Sequence, residues 1–321
     1  MTKQFSPPWW ASNPHVQTIL PLLTKIERPQ LVRERLELAD GDFIDLDWQG
    51  KPSTGHPIVV ILHGLEGNAD SHYVRRILAA CKAQHLCAVV HHHRSCSGEP
   101  NRLVRGYHSG DTQDIHTTVL KIKQRYPDSP LLAVGYSLGG NVLVKYQGEQ
   151  QALSLIERAV AVSAPLQLAA CAKRLESGFS TVYQRYLLKQ LQDKMLAKLS
   201  TTAIAPLMPV NKVDIGQLTT FKAFDDKITA PLHGFDGVDD YYHQASGLPY
   251  LTEIAKPTLI IHAKDDPFMT YAVIPTKEQL STYVEYELHD KGGHVGFIEG
   301  GTPWSPRYYI ENRILSFLTY S

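Results

Sequence analysis

What most constrains this chain is a series of six short apolar runs, rich in β-branched residues and separated by stretches of helical periodicity. They lie at 57–62 (PIVVIL), 88–92 (AVVHH), 131–134, 159–163, 257–262 and 284–288. A strand without polar alternation is covered on both faces, as happens when helices pack on either side of a parallel sheet. Parallel neighbours need long crossover connections, and the helical stretches supply them. After Ser109-Gly110-Asp111, for instance, Ile115, Val119 and Ile122 fall on one helix face. The expected class is α/β, with a mostly parallel central sheet flanked by helices. Ahead of the series, 31–38 and 43–48 alternate apolar with polar residues about Asp40-Gly41, which predicts a β-hairpin with one wet face. The first 30 residues are rich in Pro and Trp, show weak periodicity, and are expected to wrap the body or rim a pocket.

The interval 164–256 breaks the rhythm and is too long for one crossover helix. It is read as a mostly helical cap inserted within a single domain spanning 1–321. Its expected place is over the carboxyl ends of the strands, where open α/β sheets bind ligands. Within it Tyr183, Leu187, Leu191, Met195 and Leu199 repeat every four residues, while Arg185, Lys189, Lys194 and Lys198 lie largely off that stripe. A stripe packed inward is the favoured arrangement. A basic helix lying on a membrane surface is the alternative.

Charge and composition exclude several classes. The 32 Lys and Arg balance 32 Asp and Glu, so no broad basic field is available for nucleic acid. The longest aliphatic run, 58–62, is far short of the roughly 20 residues that span a membrane. The N-terminus lacks the apolar core of a signal peptide, and the expected compartment is the cytoplasm. Cys81, Cys87, Cys96 and Cys171 form no CxxC pair, so neither a zinc framework nor a disulfide scaffold is expected. Nor can His91-His92-His93 converge on one ion, because adjacent strand residues point to opposite faces. No cofactor or metal is expected.

The chemistry concentrates at Gly135-Tyr136-Ser137-Leu138-Gly139-Gly140, which follows the run 131–134 and precedes a helical stretch at 141–150. Strand, G-x-S-x-G, helix is the nucleophile elbow. It exposes a serine at a helix N-terminus, where positive partial charge favours a developing anion. A serine needs a base to take its proton. With the order Ser, Asp/Glu, His, the acid follows a late strand and the histidine lies in a loop near the C-terminus. Those positions are met by Ala263-Lys264-Asp265-Asp266-Pro267 and by Gly292-Gly293-His294. His294 is the expected general base, with His289 a nearby decoy. Asp266 is the preferred orienting carboxylate, with Asp265 its competitor. The oxyanion donors are expected to be the amides of Leu138 and of Leu65, in the loop His63-Gly64-Leu65-Glu66-Gly67-Asn68.

Together these residues resemble the α/β-hydrolase superfamily and, within it, the YheT-like esterase family of bacteria, whose eukaryotic relatives are α/β-hydrolase-domain lipases. The matching segments run nearly end to end. They include Pro14-His15-Val16-Gln17-Thr18-Ile19, the loop at His63, Arg94-Ser95-Cys96-Ser97-Gly98-Glu99-Pro100-Asn101, and Tyr107-His108-Ser109-Gly110. The elbow, Asp265-Asp266-Pro267-Phe268 and Gly292-Gly293-His294-Val295-Gly296-Phe297 complete the set. The resemblance implies the α/β-hydrolase fold and a cofactor-free hydrolase of carboxylic esters, with Ser137 as nucleophile, Asp266 as acid and His294 as base. One departure is Ser95, where the family usually has glycine. The expected substrate is a small-molecule ester or a lipid-like one, and a capped apolar pocket is expected to favour short or medium acyl groups. The alternatives are a membrane-associated lipase, phospholipase or acyltransferase, and a non-catalytic binding protein on the same fold.

Overall fold

The structure is a computed structural model that describes residues 5–201 and 204–319. Its main sheet holds β1 (Val32–Glu37), β2 (Phe43–Gln49), β3 (Ile58–Leu62), β4 (Cys87–His91), β5 (Leu131–Tyr136), β6 (Ile156–Val162), β7 (Thr258–Ala263) and β8 (Val284–His289). The spatial order among the described residues is β1-β2-β4-β3-β5-β6-β7-β8. β2 is antiparallel to both its neighbours, and the pairs from β4 through β8 are parallel. The six apolar runs are thus the six parallel strands.

The helices are α1 (Pro14–Leu23), α2 (His72–Ala83), α3 (Gln113–Arg125), α4 (Leu138–Gln150), α5 (Leu168–Leu175), α6 (Ser180–Leu199), α7 (Lys212–Gln217), α8 (Phe221–Phe224), α9 (Ala230–His233), α10 (Val238–Ala245) and α11 (Ile310–Thr319). Alternate side chains of the strands separate into two cores. Val59, Ile61, Val134 and Ile261 pack against α2 and α11, while Ile58, Val60, Leu131 and Ala133 pack against α3 and α4. This two-sided cover is why the runs carry no polar alternation. Ile115, Val119 and Ile122 on α3 are each at most 1% exposed, as their spacing predicts.

The chain steps from β3 to β4 on one side and then to β5 on the other. That reversal opens a crevice at the carboxyl ends of β3 and β5, the standard ligand position in such sheets.

One expectation needs correction. The hairpin β1–β2 forms, but β2 is buried along its whole length rather than wet on one face. Its aspartates are covered by ion pairs, Arg35 with Asp45 and Arg33 with Asp47, the latter also bonded by His92, and Gln49 donates to the Leu78 carbonyl. A buried carboxylate is tolerable when paired in this way. The first 30 residues also contain a real helix. Asn13 caps α1 through His15 N at 2.8 Å, with Pro14 at the first helical position. The Asn-Pro pair was a legible start signal that the weak periodicity obscured.

Between β6 and β7 lie α5 to α10, with a five-residue π segment, Asp225–Thr229, joining α8 to α9. The stripe on α6 turns inward, with Tyr183 and Met195 buried. The basic residues do not form one outer face. Lys194 and Lys198 also turn inward, while Arg185 and Lys189 stay exposed. Lys198 Nζ donates to the carbonyls of Leu103, Val104 and Arg105, and burial lowers its pKa to about 8. Half of the basic face proposed for a membrane surface is therefore committed inside the protein. Among the described residues, no helix is long and apolar enough to cross a membrane.

Candidate active site

Ser137 sits between the end of β5 and the start of α4, in the left-handed region at φ 51°. Glycine is required on either side by contact. A Cβ at Gly135 would lie 2.3 Å from the Gly139 carbonyl oxygen, and one at Gly139 would lie 2.5 Å from that of His63. Only a chain without those atoms makes so sharp a strand-to-helix turn. The strain lifts the Ser137 side chain to the crevice.

The loops after β7 and β8 meet it there. His294 Nε2 lies 3.0 Å from Ser137 Oγ, and His294 Nδ1 lies 2.8 Å from Asp266 Oδ2. An ionised carboxylate only accepts, so the imidazole carries its proton on Nδ1 and presents a bare Nε2 to the serine hydroxyl. Asp266 is 4% exposed, and its other oxygen accepts from Phe268 N at 2.8 Å. Asp265 points elsewhere. Its Oδ1 accepts from Gly293 N at 2.9 Å, so it holds the loop and does not reach the ring; burial pushes its pKa up. Sequence reasoning missed Phe268, whose ring stacks on the imidazole at 4.0 Å with planes 2° apart. Its place two residues after Asp266 was the available signal.

The loop after β3 faces the elbow. Gly64 N donates to Tyr73 OH, Glu66 N to Tyr107 OH and Gly67 N to the Gly64 carbonyl. Among the described residues the Leu65 amide makes no such bond. Leu138 is the first residue of α4, where an amide has no acceptor within its own helix. Leu65 and Leu138 both line the cavity that contains Ser137 and His294. Glu66 is tied to α6 by Lys194 Nζ at 2.7 Å.

That cavity has a volume of about 150 Å³. Its walls are mostly apolar, with Leu168, Leu187, Leu191, Met195, Phe224 and Ile228 among them. Polar groups sit at intervals, including Asp225, whose burial raises its pKa to about 6.

The other candidates lie elsewhere. His289 bonds Glu287 at 2.7 Å and packs among Phe5, Phe297 and Tyr309. The His91 ring bonds Thr118, the His92 ring bonds Asp47, and His93 Nε2 lies 3.2 Å from the His63 carbonyl, so the three rings have different partners. Ser95 adopts φ 64°, the conformation that favours glycine, and its hydroxyl both donates to and accepts from Asn101.

The profile of the alpha/beta hydrolase fold family matches residues 57–301. The chain belongs to the α/β-hydrolase family. It is 45% identical to "Putative esterase YheT" of Escherichia coli (strain K12), over 98% of this chain and 93% of that one. It is 28% identical to "Phospholipase ABHD3" of Homo sapiens, over 96% of this chain and 77% of the relative. Among solved structures, the Pyrococcus furiosus esterase Pf2001 superposes with a TM-score of 0.56 at 16% identity, covering 99% of this chain and 98% of its own. In this α/β-hydrolase the serine turn, the acid loop and the histidine loop all stand at the carboxyl end of the parallel strands.

Proposed function

We propose that this α/β-hydrolase cleaves carboxylic esters through an acyl-enzyme on Ser137. The observation that carries the reading is the unbroken relay from Ser137 Oγ through His294 to Asp266, opening into a mostly apolar cavity. Ser137 attacks the ester carbonyl while His294 Nε2 takes its proton. Asp266 holds the imidazole tautomer and stabilises the imidazolium. The amides of Leu65 and Leu138 receive the oxyanion. His294 then protonates the leaving alcohol and activates the water that clears the acyl group.

The test is labelling by a fluorophosphonate, followed by turnover of p-nitrophenyl esters of graded length. Wild type is expected to label and Ser137→Ala is not. A folded wild type that resists the probe would overturn the reading. The two carboxylates supply a second check. Asp266→Asn is expected to lower kcat by roughly 10⁴-fold, as loss of the orienting acid does in such triads. Asp265→Asn keeps an acceptor for Gly293 and is expected to stay close to wild type; the reverse ranking would reassign the acid.

A lipid-like ester is the second reading. The cavity's mostly apolar walls, Leu187, Leu191 and Phe224 among them, suit an acyl chain, and one relative bears the name of a phospholipase. Turnover is accordingly expected to rise from acetate esters to medium or longer chains. A maximum at acetate would favour the short-acyl expectation.

A further inference from the structure

We propose that helix α1 braces the catalytic base, with Thr18 and Gln17 as positioning residues for the loop that carries His294. The proposal rests on the reading of Ser137, His294 and Asp266 as the triad. It gives a role to the 14–19 segment, which the mechanism itself leaves unused.

The base loop is strained. Val295 and Phe297 hold φ 60° and 49°, beside Gly293 at 59°. A β-branched residue at positive φ is a genuine outlier, and such backbone persists only where its surroundings over-determine it. Much of that determination comes from α1. Thr18 Oγ1 accepts from His294 N at 3.0 Å and donates to the Pro14 carbonyl at 2.7 Å, so the hydroxyl is committed in both directions. Gln17 is fully buried. Its Oε1 accepts from Ile298 N at 2.6 Å, and its Nε2 donates to the carbonyls of Ile298 at 3.2 Å and Ala11 at 2.8 Å. Helix and loop meet backbone to backbone, since a Cβ on Gly296 would lie 2.1 Å from the Gln17 carbonyl oxygen.

The remaining anchors are spread along the loop. Asp265 takes Gly293 N, Ser163 takes Val295 N at 3.1 Å, and Arg76 reaches the Val295 carbonyl at 3.2 Å. Thr18 alone among these bonds the backbone of His294 itself. Asp266 and Phe268 fix the plane of the ring, and Thr18 fixes the main chain from which the ring hangs. The same helix also touches the cap, because His15 Nδ1 lies 2.9 Å from Tyr183 OH and Tyr183 packs on Phe268 at 4.9 Å.

The experiment compares Thr18→Ser, Thr18→Ala and Thr18→Val with wild type. For each, competent sites are counted by fluorophosphonate titration, and kcat per titrated site and KM are measured on one p-nitrophenyl ester. Thr18→Val is expected to lose roughly 10- to 100-fold in kcat per site at unchanged KM, the scale of an ångström-level displacement of a catalytic group. Thr18→Ala falls between, because the vacated space admits a water that accepts from His294 N. Thr18→Ser keeps the hydroxyl and restores kcat. A purely structural role would lower the number of titrated sites and leave kcat per site unchanged, and that result overturns the proposal. If Thr18→Val does not fold, the Ser and Ala variants decide, and equal kcat per site overturns it. Wild type lacking Ser137-dependent labelling would instead remove the triad reading beneath it.

Discussion

Ser137→Ala is expected to lower ester turnover by on the order of 10⁶-fold, the scale seen when the nucleophile of a triad is removed. Among the described residues the serine hydroxyl bonds only His294, so the fold should survive its loss. His294→Ala is expected to cost about as much, and the double variant little more, because the triad acts as a unit and its members are grossly non-additive. Residual turnover then reports what the Leu65 and Leu138 amides and the cavity contribute without covalent chemistry. Progress curves of p-nitrophenyl ester hydrolysis with the four proteins decide it. A Ser137→Ala protein within tenfold of wild type would sink the acyl-enzyme mechanism.

Stability is expected to fall steeply below about pH 6.5, driven by histidines that the fold holds neutral. Burial, together with neighbouring imidazoles, lowers the pKa of His91 and His93 to about 3. Burial lowers His262 to about 4, only partly offset by the Asp266 carboxylate. His63, by burial and neighbouring imidazoles, and His108, by burial with His233, Arg105 and Lys145 nearby, are also held well below the ordinary value. Each of these binds a proton in the unfolded chain near pH 6.5 but not in the native one. Stability that is complete above that pH is therefore lost as pH falls toward the native values. Asp111 and Asp225, raised to about 6 chiefly by burial, act in the opposite sense between about pH 6 and 4. His72, lowered to about 2 by burial, and His233 add to the histidines, and Asp265 adds to the raised carboxylates. The histidines still outnumber the carboxylates, and a net uptake of roughly three or more protons on unfolding is on the order of 4 kcal/mol or more per pH unit near pH 5. That is a large part of the roughly 5–15 kcal/mol that holds an ordinary domain. Urea midpoints at pH 7.5, 6 and 5 measure it. His91→Gln keeps a hydrogen-bonding group beside Thr118 and should flatten the slope by about one proton. A profile level from pH 7.5 to 5 would contradict the account.

The parallel strands, the serine turn and the base loop were legible from residue types alone. Uninterrupted Val and Ile runs tolerate only a sheet covered on both faces, and Gly135 and Gly139 admit a turn that any side chain would block. Chain order then narrowed the acid to two adjacent aspartates and the base to one loop. Which aspartate faces His294 was not legible. Neighbours in a turn point in different directions, and only the assembled β7 and β8 loops send Asp266 to the imidazole and Asp265 to Gly293. The inward turn of Lys194 and Lys198, the burial of β2 and the contact of Thr18 with His294 were equally out of reach. Apolar periodicity reports which face of an element avoids water. The fate of a polar side chain depends on a partner supplied from elsewhere, here across 276 residues between Thr18 and His294. The sequence by itself determined the sheet and the elbow and narrowed the candidate site residues to Ser137, one histidine loop and two aspartates, because those follow from local sterics and chain order. The tertiary structure alone decided how the groups are aimed and braced, because hydrogen-bond geometry exists only once distant segments have met.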